Sequence, residues 1–258
     1  FIRFFIGGAM LLPFSIAKIK KNQIRLNKTD YLNMALLGVL CICISMVLLQ
    51  YAVLKADSPA LIAIIFSSNS VFTILFAAVL LKDKITLLKC CAVILCAAGV
   101  LVCADFRSGT NLMSVILAVL SALTFSLYTV LSKKFMTKVS GIIQTGFSFF
   151  FGSLVLLVGL LFMKADVVGT IQPSNLWILL YLGVVVTGIG YWSYFRAMDQ
   201  SSAMAASLVF FIKPILTPFA AFFINNIMPD AKVFVALVLV LAGSYLATIQ
   251  KKESTMTT

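Results

Sequence analysis

Histidine is absent from the 258 residues, and only eight residues are acidic. The commonest metal ligand and general base is therefore missing. All eight acids, from Asp30 to Glu253, fall at the ends of apolar runs, in short connections or in the C-terminal tail. That placement argues against a carboxylate proton relay through an apolar core, and it leaves a membrane-embedded enzyme without a base. Charge of either sign is scarce, at 11% of residues, against about 25% in a soluble domain. The six cysteines, Cys41, Cys43, Cys90, Cys91, Cys96 and Cys103, form no CxxC pair. Cys41 and Cys43 would point to different faces of a helix, so all six read as small apolar packing residues. No metal and no cofactor is expected.

What the chain has instead is apolar length. It is 62% hydrophobic, in blocks of about 20 residues, far longer than the 9–11 residues of a barrel strand. The expectation is an all-α integral membrane protein with nine spans, at 1–19, 31–54, 59–81, 86–104, 111–132, 140–163, 175–195, 202–224 and 231–249. The connections are too short for an inserted soluble domain. The first run, from Phe1 to Ile19, lacks a small-residue cleavage site and reads as a span rather than a signal peptide. With no initiator methionine at Phe1, the true start of the protein is expected upstream.

The net charge of +12 does not point to nucleic acid, because the basic residues sit in short loops between apolar blocks. Alternate loops carry fourteen and five Lys or Arg, with Lys213 completing the twenty. Arg3 is counted on the poorer side. The asymmetry places the richer side, and the C-terminus, in the cytoplasm of a cell-membrane protein.

Lys213 lies near the middle of the run Ser202 to Ile224, roughly 16 Å from either end at 1.5 Å per residue. A cation at that depth costs at least roughly 2.5–3.5 kcal/mol. Pro214 and Pro218 flank it, and each removes a backbone donor and clashes one turn back, so this helix should kink or break. Such a break is tolerated where it faces protein or a water-filled cavity. The expectation is a substrate or coupling-ion site at Lys213. The alternative, that the ammonium caps carbonyls freed by the prolines, stays open and can hold as well.

The chain also repeats itself. LLGVL at 36–40 answers YLGVV at 181–185, Val53-Leu54-Lys55 answers Ala197-Met198-Asp199, and Ala98-Gly99 answers Ala242-Gly243. By the charge count, spans at this offset of 144 or 145 cross in opposite directions, as in an inverted-topology repeat with its site at the repeat interface. Applied to Lys213 and Pro214, the shorter offset lands on Asn69 and Ser70, inside the polar cluster Ser67 to Ser70. Asn69 is a candidate cavity-lining residue, though Asn and Ser also serve helix packing. In the seventh span, VVVTGIGYWSYF, Tyr194 is a candidate substrate contact; an interfacial aromatic belt beside Arg196 explains the same aromatics.

In order, the second half reads YLGVV, YFRAMDQSSAMAASL, FFIKP and LAGSYL, and the first half LLGVL, YAVLKADSPA, SSNSVF, KDKIT and AAGVLV. This duplicated series resembles the EamA-type branch of the drug/metabolite transporter superfamily, over essentially the whole chain. Ser70 stands where the family's mid-span proline is usual, Asp83 replaces a loop glutamate, and Asn226 replaces it in the second copy. The resemblance implies ten helices, so one helix is expected before Phe1. It divides the chain into a first repeat over 1–105, a second over 111–250 and a cytoplasmic tail over 251–258. It further implies alternating access for a small metabolite, with export favoured, and admits a homodimer. A lipid flippase and a non-transporting scaffold or sensor are the rival readings.

Overall fold

A computed structural model of the chain describes residues 1–56, 59–82, 86–103, 111–136, 138–165, 167, 173–203, 206, 209, 234–235, 238–239 and 241–243. Among the described residues the chain is helical and has no strand. The helices are α1 (Ile2–Lys21), α2 (Lys28–Lys55), α3 (Pro59–Ser67), α4 (Asn69–Leu80), α5 (Leu87–Cys103), α6 (Leu112–Phe135), α7 (Gly141–Phe162) and α8 (Leu176–Gln200). Five of them, α1, α2, α6, α7 and α8, are long and apolar enough to cross a membrane. The third expected span is divided into α3 and α4 at Ser68. Most of the run from Ser202 to Ile224, Lys213, Pro214 and Pro218 included, and most of 231–249 lie outside the described residues.

Local chemistry sets the helix ends. α1 stops in a Schellman arrangement: Gln23 takes φ 50°, and the Gln23 and Ile24 N–H groups donate back to the Lys20 and Ile19 carbonyls. Lys18, Lys20 and Lys21 in that last turn complement the helix dipole. α7 ends the same way at Lys164, φ 52°. At the start of α2 the Asp30 carboxylate accepts the Asn27 N–H at 3.0 Å, one arm of a capping box.

Two helices change pitch in mid-course. α2 is π-helical over Val39–Met46 and α8 over Tyr181–Ile189. In α8 the Thr187 hydroxyl donates to the carbonyl five residues back, at Leu182. A Leu-Gly step stands just before the first π segment, Leu37-Gly38, and inside the start of the second, Leu182-Gly183, and such segments are frequent at functional sites.

The described residues form two compact units. The first comprises Phe1–Val47 and Leu131–Gln200, the second Leu48–Val130 and Ser201–Thr258. In the first, α1 and α7 pack along each other in antiparallel sense. Ser15 donates to the Ile142 carbonyl at 2.9 Å, Leu11 lies against Gly146, and Gly8 lies against Phe149 and Phe150. Between helices in lipid there is little hydrophobic driving force, so close backbone approach carries the packing. A Cβ on Gly8 would sit 2.6 Å from the Phe150 nitrogen, and one on Gly152 would sit 2.5 Å from the Gly38 carbonyl oxygen. The contact of α1 with α8 is similar: a Cβ on Gly7 would lie 3.1 Å from the Gly183 carbonyl oxygen. Met34, Val139, Ile143 and Phe147 fill the core beside these crossings. The second unit has a smaller cluster of Ala52, Ile62 and Ala118.

Candidate functional site

In the second unit the polar run 67–70 breaks a span without a proline. The Ser67 and Ser68 hydroxyls turn back on the Ala63 and Ile65 carbonyls, at 2.8 and 2.6 Å. Such bonds compete with the helix ladder. Past the break, the Asn69 carbonyl accepts from the Ser126 hydroxyl at 2.6 Å and the Thr73 hydroxyl at 2.7 Å. Asn69 is fully buried. Its Oδ1 accepts from Ser70 at 3.2 Å, while its Nδ2 finds no acceptor among the described residues. A buried amide donor in that state has the capacity to bind an acceptor-bearing solute or a water. Asn69, expected to line a cavity, is thus a buried polar residue at a helix break.

In the first unit, Tyr194 is buried near the end of α8, its ring edge-on to Phe195 at 5.1 Å. Asn69 and Tyr194 belong to different units, and each is described with its own neighbours. Lys213, Pro214 and Pro218 lie outside the described residues.

A cluster that the sequence reading missed surrounds Arg3. By its place at the edge of the first run, Arg3 reads as a loop cation. The antiparallel packing instead sets the adjacent Phe4 beside Phe149, the ninth residue of the 22 in α7, with ring centroids 5.3 Å apart. Arg3 is therefore level with the interior of a membrane-length helix. Its guanidinium lies 4.6 Å from the Phe4 ring centroid, and one nitrogen is 3.9 Å from the Met46 sulfur. The Tyr191 hydroxyl points at the same sulfur from 4.0 Å, and the Tyr191 ring meets Phe149 edge-on at 4.8 Å. A thioether is a weak acceptor, and a guanidinium held at depth costs several kcal/mol unless compensated.

One regularity offered a signal for this cluster. Phe4 with Phe149, Phe5 with Phe150 and Met46 with Tyr191 are contacting pairs, and in each the partners stand 145 positions apart. The same shift carries Gly38 onto Gly183 and Gly7 onto Gly152, the residues of the two glycine crossings. It carries Arg3 onto Ser148, which accepts from the buried Gln144 amide at 3.2 Å.

At the end of α8, the Asp199 carboxylate accepts the Gly141 N–H at 2.9 Å and so caps α7, while the Lys133 ammonium donates to the Met198 carbonyl. No group of three or more metal-ligating side chains occurs among the described residues.

The EamA-like transporter family matches residues 1–104 and 112–249. The chain belongs to that family. It is 33% identical over 260 residues to an "uncharacterized transporter" of Clostridium kluyveri, covering 98% of this chain and 83% of that protein. It is 25% identical over 252 residues to the "uncharacterized transporter YyaM" of Bacillus subtilis, covering 93% and 80%. A solved crystal structure superposes with a TM-score of 0.75 at 19% identity, covering 98% of this chain and 86% of that one, and shows the shared fold. With its long apolar helices, the EamA-like chain is a multi-pass, all-α membrane transporter.

Proposed function

We propose that this protein is a secondary carrier that exports a small organic solute across the cytoplasmic membrane by alternating access, and that it has no catalytic step of its own. The observation that carries the reading is the set of self-facing pairs at an interval of 145 residues, two of them on α1 and α7, which run antiparallel. If residue i meets its own counterpart and the two helices point in opposite directions, the relating two-fold axis lies across the helices, in the plane of the bilayer. That supports two inverted copies rocking about a site between them, the arrangement of many secondary transporters. Nine spans in two inverted repeats, a cytoplasmic C-terminus and a homodimer complete the proposal.

Lys213 keeps its proposed role from the sequence: its ammonium attracts an anionic group of the solute or exchanges a proton during the cycle, at a helix broken by Pro214 and Pro218. Asn69, with a spare amide donor, and Tyr194 are proposed as further contacts. The test is uptake and efflux of a metabolite panel by the full-length protein in liposomes, with and without Lys213→Gln. Saturable flux that falls at least about tenfold in the variant, the loss of one charge-assisted contact, is the expected result. Flux and pH dependence unchanged by the substitution would remove Lys213 from the mechanism. Lipid scrambling with no solute flux would replace the carrier by a flippase.

A further inference from the structure

We propose that Arg3 and Tyr191 form a carboxylate-binding site, and that the transported solute is an organic acid with an apolar, ring-bearing body. The inference rests on the carrier reading for its place in a transport cycle, and on the geometry of the first unit for its chemistry. Three observations converge. First, the guanidinium is level with the interior of α7 and meets only weak partners among the described residues, the Met46 thioether and the Phe4 ring. The one ion pair among the described residues joins Lys138 to Asp30, and Asp199 is engaged at the head of α7. Among the described residues the site thus has a cation with donors in a fork matched to a carboxylate, and no carboxylate faces it.

Second, Arg3 and Tyr191, from different helices, both aim at the Met46 sulfur. Two donors aimed at one poor acceptor mark a place where a better acceptor gains two bonds at once. Methionine is unbranched and rotates out of the way readily. Third, the wall beside the donors is aromatic: Phe149 lies edge-on to Tyr191 at 4.8 Å and to Phe4 at 5.3 Å. Rings in that arrangement accept a further ring edge-to-face. A solute that presents its carboxylate to Arg3 and Tyr191 would lay its apolar end on this wall.

The test uses 3-phenylpropionate as probe, with 3-phenylpropanol as the uncharged match, in titration calorimetry on the purified full-length protein in nanodiscs. The acid should bind at least about tenfold more tightly than the alcohol, and Arg3→Gln should remove that preference. Arg3→Lys should keep part of it, since a point charge lacks the fork, and Tyr191→Phe should weaken the acid about tenfold, the loss of one hydrogen bond to a charged acceptor. Equal binding of acid and alcohol, or undiminished acid binding by Arg3→Gln, would overturn the proposal. If Arg3→Gln does not fold, Tyr191→Phe and the acid–alcohol comparison on the unaltered protein decide. Failure here is separable from failure of the carrier reading. If panel solutes move but the acid neither binds nor competes, this site falls and the carrier stands. If the acid binds with the expected preference but no solute moves, the site stands and the carrier falls.

Discussion

α2 and α8 share a plan: a Leu-Gly step at or within the start of a π segment, and a glycine laid against another helix, Gly38 on Gly152 and Gly183 on Gly7. They part at their side chains. Where α2 has the Met46 thioether, α8 has the Tyr191 phenol, and the two touch. Where α2 ends on Lys55, α8 carries Asp199, which reaches out to cap α7. The backbone contacts are common to both helices and the polar atoms are not. Close approach is a geometric requirement that glycine meets in either place, whereas the chemistry near the solute has no reason to be symmetric.

Substitutions at the crossings would break the comparison most severely. Gly152→Leu should cost about 3 kcal/mol or more, since the Gly38 carbonyl is backbone and cannot move aside cheaply. Gly7→Leu should cost somewhat less, because its nearest obstacle is the Thr187 methyl at 3.0 Å. Gly159→Leu, with nothing within 4 Å of a new Cβ, serves as control and should be neutral. Thermal unfolding followed by size-exclusion would rank the three; equal losses would refute the role of the crossings. A smaller effect is expected at the helix ends. Asp199→Ala should lower stability by about 1 kcal/mol through loss of the α7 cap, a shift of roughly 2–4 °C in Tm. Lys55→Ala, which removes only a basic residue from the last turn of α2, should cost about 0.5 kcal/mol or less. If Lys55→Ala proved the costlier of the two, the contrast between the helix ends would be wrong.

The helical class and the regions of the long helices were legible in the sequence because apolar runs of this length have few other solutions in lipid. The polar run at 67–70 was legible as a special place. That it ends a helix was not, because breaks were sought at prolines: α1 runs unbroken through Pro13, while α3 stops at Ser67 with no proline near. The π segments were invisible, since a hydrophobic run carries no periodic contrast to betray a shift from i→i+4 to i→i+5 bonding. Arg3 was misjudged for a related reason. Its position at the edge of a run suggested a loop, and only the register between α1 and α7 shows its depth. Of the aromatics in the seventh span, Tyr191 shares the Met46 sulfur with the arginine, while Tyr194, one helical turn on, packs edge-on to Phe195, a distinction that needs the partner helix to settle.

The pairs Phe4 with Phe149 and Phe5 with Phe150 have a bearing on descent. On the proposed reading, each joins a position to its own duplicate. In an ancestral dimer of the single unit, one codon change there would have altered both sides of the contact together, so a bulkier residue would have met its own double. Fusion into one gene would lift that restriction, and Met46 facing Tyr191 is what its lifting permits: a sulfur on one side and a hydroxyl on the other, a pairing that no self-matched dimer could have encoded.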